Sequence, residues 1–371
     1  MNYINKRVIS RFFQSLRGVV VILMMAQLFL TSCLKDPQPP DPHDIHEEGK
    51  GVYVLNEGLF HMNNSTLTRY DFETETAHTD FFEMRNGRKL GDTGNDMKRY
   101  GGKIYIVVNI SSQVEVLDAH TGVSLGQIPL FDGDKARQPR NIAFLHDKAF
   151  ICSFDGTVAV IDTTSLEVEK YIKVGRNPDG ITTANNKVYV ANSGGLDFPN
   201  YDNTVSVIDF DLMEETHRIE VGPNPYTMEA DEQGFVYLIS RGNYEEQQMY
   251  LQIIDTATDQ LVHTFTGFQA LSFSIGDGAA YVYHYDYTGG TGSSILVFDL
   301  ESREVIRQDF ITDGTEIQTV YGIYADKTSG DVFITDAKGF VTRGRVYCFD
   351  SEGHKKYSFP AGLNPSSICI Y

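Results

Sequence analysis

Beyond residue 50 the chain reads as short, mostly apolar runs closed by polar residues and separated by Gly, Pro, Asn and Asp, a pattern of strands and turns. Seven runs close on the same residue: LTRYD at Asp71, VEVLD at Asp118, VAVID at Asp162, VSVID at Asp209, LQIID at Asp255, ILVFD at Asp299 and VYCFD at Asp350. Their spacings are 47, 44, 47, 46, 44 and 51 residues, the repeat length of propeller blades. A strand with a central aromatic precedes each Asp, as in VYVLN, KAFICS and FVYLIS, and a turn and a further strand follow it, as in SLEVEKYIKV and EETHRIEV. The pattern predicts an all-β fold, a seven-bladed β-propeller with four antiparallel strands per blade.

The two ends of the pattern fit together. The first repeat begins at GVYVL, a second-strand sequence, whereas the last residues, PSSICIY, match the first strands PRNIAFL, PDGITTA and PYTMEAD. The C-terminal strand is expected to complete the N-terminal blade and remove an open sheet edge. Each repeated Asp stands at a strand end, where its carboxylate accepts from the turn amides that follow, so all seven read as structural.

Residues 1–32 break the pattern. Lys6, Arg7, Arg11 and Arg17 precede an apolar stretch from Val19 to Leu30, and LTSC ends at Cys33. The segment resembles a bacterial lipoprotein signal with its lipobox, which implies lipidation of Cys33. Residues 33–49, rich in Pro and acidic side chains, read as a solvated tether, and 50–371 as the propeller. An acidic stretch just after the lipidated Cys also resembles surface-export signals of Bacteroidota lipoproteins, which implies an outer-membrane, surface-exposed location.

Four of the 31 Lys and Arg, and none of the 50 Asp and Glu, lie in 1–32, so the mature chain carries 27 against 50 and a net charge of −23. Such a surface repels phosphate backbones and anionic bilayers; nucleic acid is not an expected partner, and the membrane is met through the anchor only. Cys152, Cys348 and Cys369 sit in apolar strand contexts. Cys348 on a third strand and Cys369 on a first strand would be separated by a further strand, too far for a bridge, so buried free thiols are expected.

Candidate chemistry concentrates at one face. In a propeller the second-to-third-strand loops and the blade-to-blade connections emerge together, and here the former are long: 56–66, 192–204, 240–250, 284–294 and 336–345. The blade-to-blade connections repeat a Pro at 139, 178, 225 and 365, followed by Arg140 and Asn141, by Asp179 and by Tyr226 in three of the four. Pro sets the entry to each innermost strand, but does not explain these polar followers. Aromatic surfaces are offered by Phe60, Phe154, Tyr201, Tyr226, Tyr244, Tyr285, Tyr287 and Phe340, and hydrogen-bonding groups by Asn56, Asn95, Asn109, Asn192, Arg241 and Arg343. Aromatics among amides suit a large, amphipathic, mostly neutral ligand, or a sugar chain.

Catalytic signatures are absent from the sequence: no GxSxG, no HExxH, no phosphate-binding glycine loop and no CxxCH. His61 and His284 in the long loops are candidate metal ligands, with idle surface histidines the simpler reading. Asp197, Asn200, Asp202 and Asn203 in DFPNYDN offer oxygens that a calcium ion could use, but without EF-hand spacing a plain turn is favoured. A metal-dependent lactonase or lyase would need carboxylates such as Asp92, Asp96, Asp179, Glu229 and Asp336 to converge at the channel mouth. The expectation is a non-catalytic binder with no catalytic cofactor.

VYVLNEG at 52–58, NNSTLTRYD at 63–71, NGRKLGDTGNDM at 86–97 and YIVVNISSQVEVLD at 105–118 resemble the YncE-like seven-bladed propeller lipoproteins of gut Bacteroidota, most of all the BtuG-type surface proteins. The resemblance spans residues 51–371. It implies capture of cobalamin, a corrinoid with a flat ring edged by amides, and its delivery to a TonB-dependent outer-membrane transporter. The contact residues named above come from loop position, not from that resemblance. A glycan-binding surface propeller is the main alternative reading of the same loops.

Overall fold

The computed structural model describes residues 50–243, 248–267, 269–285 and 293–371; the signal segment, the tether and Cys33 lie outside them. Seven four-stranded antiparallel sheets form the blades. Blade 2 shows the order from axis to rim: β4 (Gly94–Tyr100), β5 (Lys103–Val108), β6 (Gln113–Asp118) and β7 (Ser124–Pro129). The central two strands of each blade are almost wholly buried, as their continuous apolar runs require, and only the outermost keeps alternating exposure.

Closure occurs as expected from the chain ends. In blade 1, β1 (Gly51–Asn56) pairs antiparallel with the C-terminal β30 (Pro365–Ile370), matching Val52 to Ile370 and Val54 to Ile368. The outermost strand of that blade is short, β3 (Thr76–His78), and is followed by a short helix, α1 (Phe81–Asn86), whose Phe81 and Phe82 are buried.

Every repeated Asp caps its turn. Asp118 accepts from the amides of His120 and Thr121, Asp162 from those of Thr164 and Ser165, and Asp209 from those of Asp211 and Leu212. Four residues on, the chain adopts positive φ, at Glu75, Gly122, Leu166, Met213, Asp259 and Arg303, and so turns into the outer strand. Only Gly122 needs to be glycine for space as well, since a Cβ there would lie 2.3 Å from the Phe81 ring.

Around the axis, polar side chains of the innermost strands tie each blade to the next. Asp96 takes the Ile142 amide at 3.0 Å, Asn141 donates to the Asp179 carbonyl at 2.7 Å, Glu229 takes the Ile275 amide at 2.9 Å, and Ser274 Oγ takes the Ala325 amide at 3.1 Å. Between them lies an axial channel of about 870 Å³. The thiols of Cys152, Cys348 and Cys369 are free and buried. Burial pushes Cys348 and Cys369 up to about 12, so they stay protonated and inert. The last two lie on different blades, in β28 (Arg343–Phe349) and β30, so blade separation rather than an intervening strand keeps them apart.

The channel mouth as candidate functional site

A repeated irregularity builds the mouth of the channel. Pairing between the first and second strands slips just after the start of the innermost strand in six blades: between Gly94 and Asp96, Pro139 and Ile142, Pro178 and Ile181, Pro225 and Met228, Val320 and Gly322, and, in the closing blade, Pro365 and Ser367. A bulge re-aims the side chain it carries. The first residues at these bulges are Asn95, Arg140, Asp179, Tyr226, Tyr321 and Ser366, and all but Asp179 line the channel directly.

These side chains form a compact polar cluster. Arg140 Nε donates to Asp179 at 2.9 Å, and its guanidinium lies 4.6 Å from the Phe154 ring centre. Burial opposes the Arg140 charge, but the Asp179 carboxylate more than offsets it and raises the pKa further. Asn95 Nδ2 donates to the Arg140 carbonyl at 2.6 Å. Arg241 stacks 3.3 Å over the Tyr226 ring and donates to the Leu271 carbonyl at 2.9 Å. Opposite them the Tyr321 hydroxyl donates to Glu57, whose pKa burial raises against the pull of that bond and of Arg140. Tyr321 rises as well, from burial and from the Glu57 charge. The mouth therefore holds two guanidiniums and two carboxylates in a low-dielectric setting.

The sequence-derived site residues divide into groups. Asn95, Arg140, Asn141, Phe154, Asp179, Tyr226 and Arg241 meet at the mouth, and Phe340 stands edge-on to Tyr321, with ring centres 5.9 Å apart. Phe60 projects from the 56–66 loop with 65% of its surface exposed, and Tyr201 packs edge-on against exposed Phe198. Tyr244 and Tyr287 lie outside the described residues, as does the side chain of Tyr285.

Four of the candidate residues are not brought to the channel. Asn56 is fully buried; its carbonyl oxygen takes the Gly362 amide at 2.8 Å and its Nδ2 donates to Thr66 and Thr68. Asn192 repeats the arrangement with the Gly175 amide, Thr204 and Ser206. Asn109 donates to the Pro139 carbonyl at 2.9 Å. These amides latch neighbouring blades because a buried amide must find partners, so they are not presented to a ligand. Arg343 turns outward to Thr79 and Asp80 at the edge of blade 1.

Glu57 and Tyr321 also stand at the mouth, although no sequence motif marks them. The signal for Tyr321 was its position, second in an innermost strand like Arg140 and Tyr226, but VYGIYA lacks the Pro that marked the others. Glu57 follows Asn56 at the end of a second strand and had no pattern of its own.

The candidate metal positions are occupied by other partners. In the DFPNYDN loop Arg176 binds Asp197 at 2.8 Å and the Asn200 carbonyl at 3.0 Å, with Asp202 at 3.6 Å, so a guanidinium stands where a cation would. Asp92 takes the amides of His61 and Asn63, Asp336 those of Thr319 and Lys338, and Asp96, Asp179 and Glu229 are engaged as described. Exposed His61 lies against Phe60, and His284 lies on the strand Ala279–Tyr285. Among the described residues no three His, Cys, Asp or Glu side chains gather to hold a metal.

Three solved structures share the fold at low identity. A hydrazine synthase of Kuenenia stuttgartiensis is 18% identical with a TM-score of 0.62, over 74% of this chain and 89% of that one. A quinonprotein alcohol dehydrogenase-like protein of Bacteroides thetaiotaomicron is 15% identical with a TM-score of 0.65, over 88% and 79%. The computationally designed Ika8 protein is 13% identical with a TM-score of 0.54, over 86% and 91%. Likeness at this level carries the fold alone. No curated protein matches the sequence. One family model covers residues 50–364, nearly the whole propeller, and the chain belongs to that family, described as a domain of unknown function, DUF5074.

Proposed function

We propose that this protein is a surface lipoprotein of the outer membrane that captures a corrinoid such as cobalamin on the mouth face and passes it to a TonB-dependent transporter, without chemistry of its own. The observation that carries the reading is the contrast between the rim and the centre of that face. Phe60, Met62, Leu196, Phe198 and Val341 are exposed on three of its long loops, around a centre of amide, guanidinium, carboxylate and phenol groups. Isolated exposed apolar side chains are ordinary, but five on the loops of one face point to a large ligand with apolar surface and polar edges.

Capture by a largely preformed face loses little ordering entropy, and the Cys33 anchor would hold the ligand at high local concentration beside a transporter. Release requires the transporter to compete for the same ligand groups. Titration of residues 34–371 with cyanocobalamin, followed by corrin absorbance, tests the reading. Saturable one-to-one binding that weakens in Phe198→Ser and Tyr226→Ala is expected. A flat titration at micromolar ligand would overturn it and leave the glycan-binding propeller, to be tested on a glycan array.

A further inference from the structure

We infer that the channel mouth is a separate subsite for one neutral primary carboxamide projecting from the ligand on the face, a proposal that rests on the capture reading above. The inference comes from which hydrogen-bonding groups at the mouth the protein leaves unused. Arg140 engages Asp179 through Nε and Nη2, Asn95 donates through Nδ2, and Glu57 receives Tyr321 on Oε2. Among the described residues, Arg140 Nη1 and the Tyr226 hydroxyl donate to no protein group, and Glu57 Oε1 and Asn95 Oδ1 accept from none, although all four residues line the channel. Donors and acceptors are thus both available within one concave space.

A buried polar site is best filled by a group that meets both kinds. A carboxamide does so: its carbonyl oxygen accepts from Arg140 and Tyr226, while its NH₂ donates to Glu57 and Asn95. The charged analogues are refused for opposite reasons. A carboxylate would face Glu57, and an ammonium would face Arg140. With Arg140 held charged by Asp179 and Glu57 opposite, the site discriminates by leaving one charge or the other unpaired.

The test uses cyanocobalamin and its set of singly hydrolysed derivatives, each bearing one carboxylate in place of one side-chain amide, titrated at neutral pH. One isomer is expected to bind at least about tenfold more weakly than cyanocobalamin, the others nearly unchanged, because a site built to hydrogen-bond a group rejects the analogue that cannot satisfy it. Glu57→Gln should restore most of that isomer's binding by removing the repulsion. Tyr226→Phe, which keeps the ring beneath Arg241, should weaken cyanocobalamin itself about tenfold with an unchanged melting temperature. Equal binding of all isomers, or a deficit that Glu57→Gln leaves untouched, overturns the subsite while capture stands. Failure of cyanocobalamin to bind at all overturns capture and the subsite together.

Discussion

Arg69 Nε donates to the phenolic oxygen of Tyr371 at 2.7 Å, joining the third strand of the first blade to the last residue of the chain across 302 positions. Both side chains are buried, the guanidinium lies 4.9 Å from the Tyr371 ring centre, and Tyr53 packs on the same ring at 4.5 Å. The contact clamps the closing strand from its outer side. Tyr371→Phe keeps the ring and removes the oxygen, leaving a buried guanidinium short of an acceptor. A loss of about 2 kcal/mol is expected, read from urea unfolding at unchanged m-value.

Asn192→Ala should destabilise the fold by about 3 kcal/mol, because the Gly175 amide and the hydroxyls of Thr204 and Ser206 lose their shared partner in a buried setting. Ligand affinity measured below the melting transition should not change. Weaker binding at preserved stability would return Asn192 to the ligand surface.

How much of this was legible beforehand depends on the periodicity each residue obeyed. The Pro-marked strand starts disclosed Arg140, Asp179 and Tyr226, because Pro fixes φ and can be seen in the sequence. Asn56 and Asn192 carry the same residue type as a ligand contact. Only the partner strand, hundreds of residues away for Asn56 and Gly362, shows that their amides are already engaged.

Phe198→Ser and Phe60→Ser should leave stability within about 0.5 kcal/mol, since both rings are mostly exposed. Each should weaken corrinoid binding several-fold by removing apolar cover. Unchanged affinity in the double variant would exclude the rim from the contact.

The Glu57 carboxyl has a raised pKa in the fold, chiefly from burial, so the folded state holds its proton more tightly than the unfolded chain. Its contribution to stability is therefore fully present below the unfolded value near 4.5 and is lost as pH rises through the raised folded value. Glu57→Gln should be at least as stable as wild type at neutral pH, with a difference that disappears under acid conditions. Paired thermal melts across that range check the sign; a variant less stable than wild type at neutral pH would show that Arg140 and Tyr321 outweigh the burial penalty.

Chelation provides a further check. With Arg176 already held by Asp197 and the Asn200 carbonyl, EDTA should leave the melting temperature unchanged and millimolar calcium should not raise it. A calcium-dependent rise would mean that the ion displaces the guanidinium.

Local chemistry repeated seven times determined the blade count, the strand order, the Asp-capped turns and the closure of the ring, because each is dictated by short apolar runs and turn geometry that recur in register along the chain. Tertiary structure alone decided which polar groups remain available. The bulges that turn Arg140, Tyr226 and Tyr321 into one mouth, the meeting of Glu57 with Tyr321 across 264 residues, and the withdrawal of Asn56, Asn109 and Asn192 into blade-to-blade latches all depend on partners brought close only when the ring closes. A hydrogen-bonding side chain is assigned by its nearest partner in space, and in a propeller that partner is as often the neighbouring blade as the neighbouring residue.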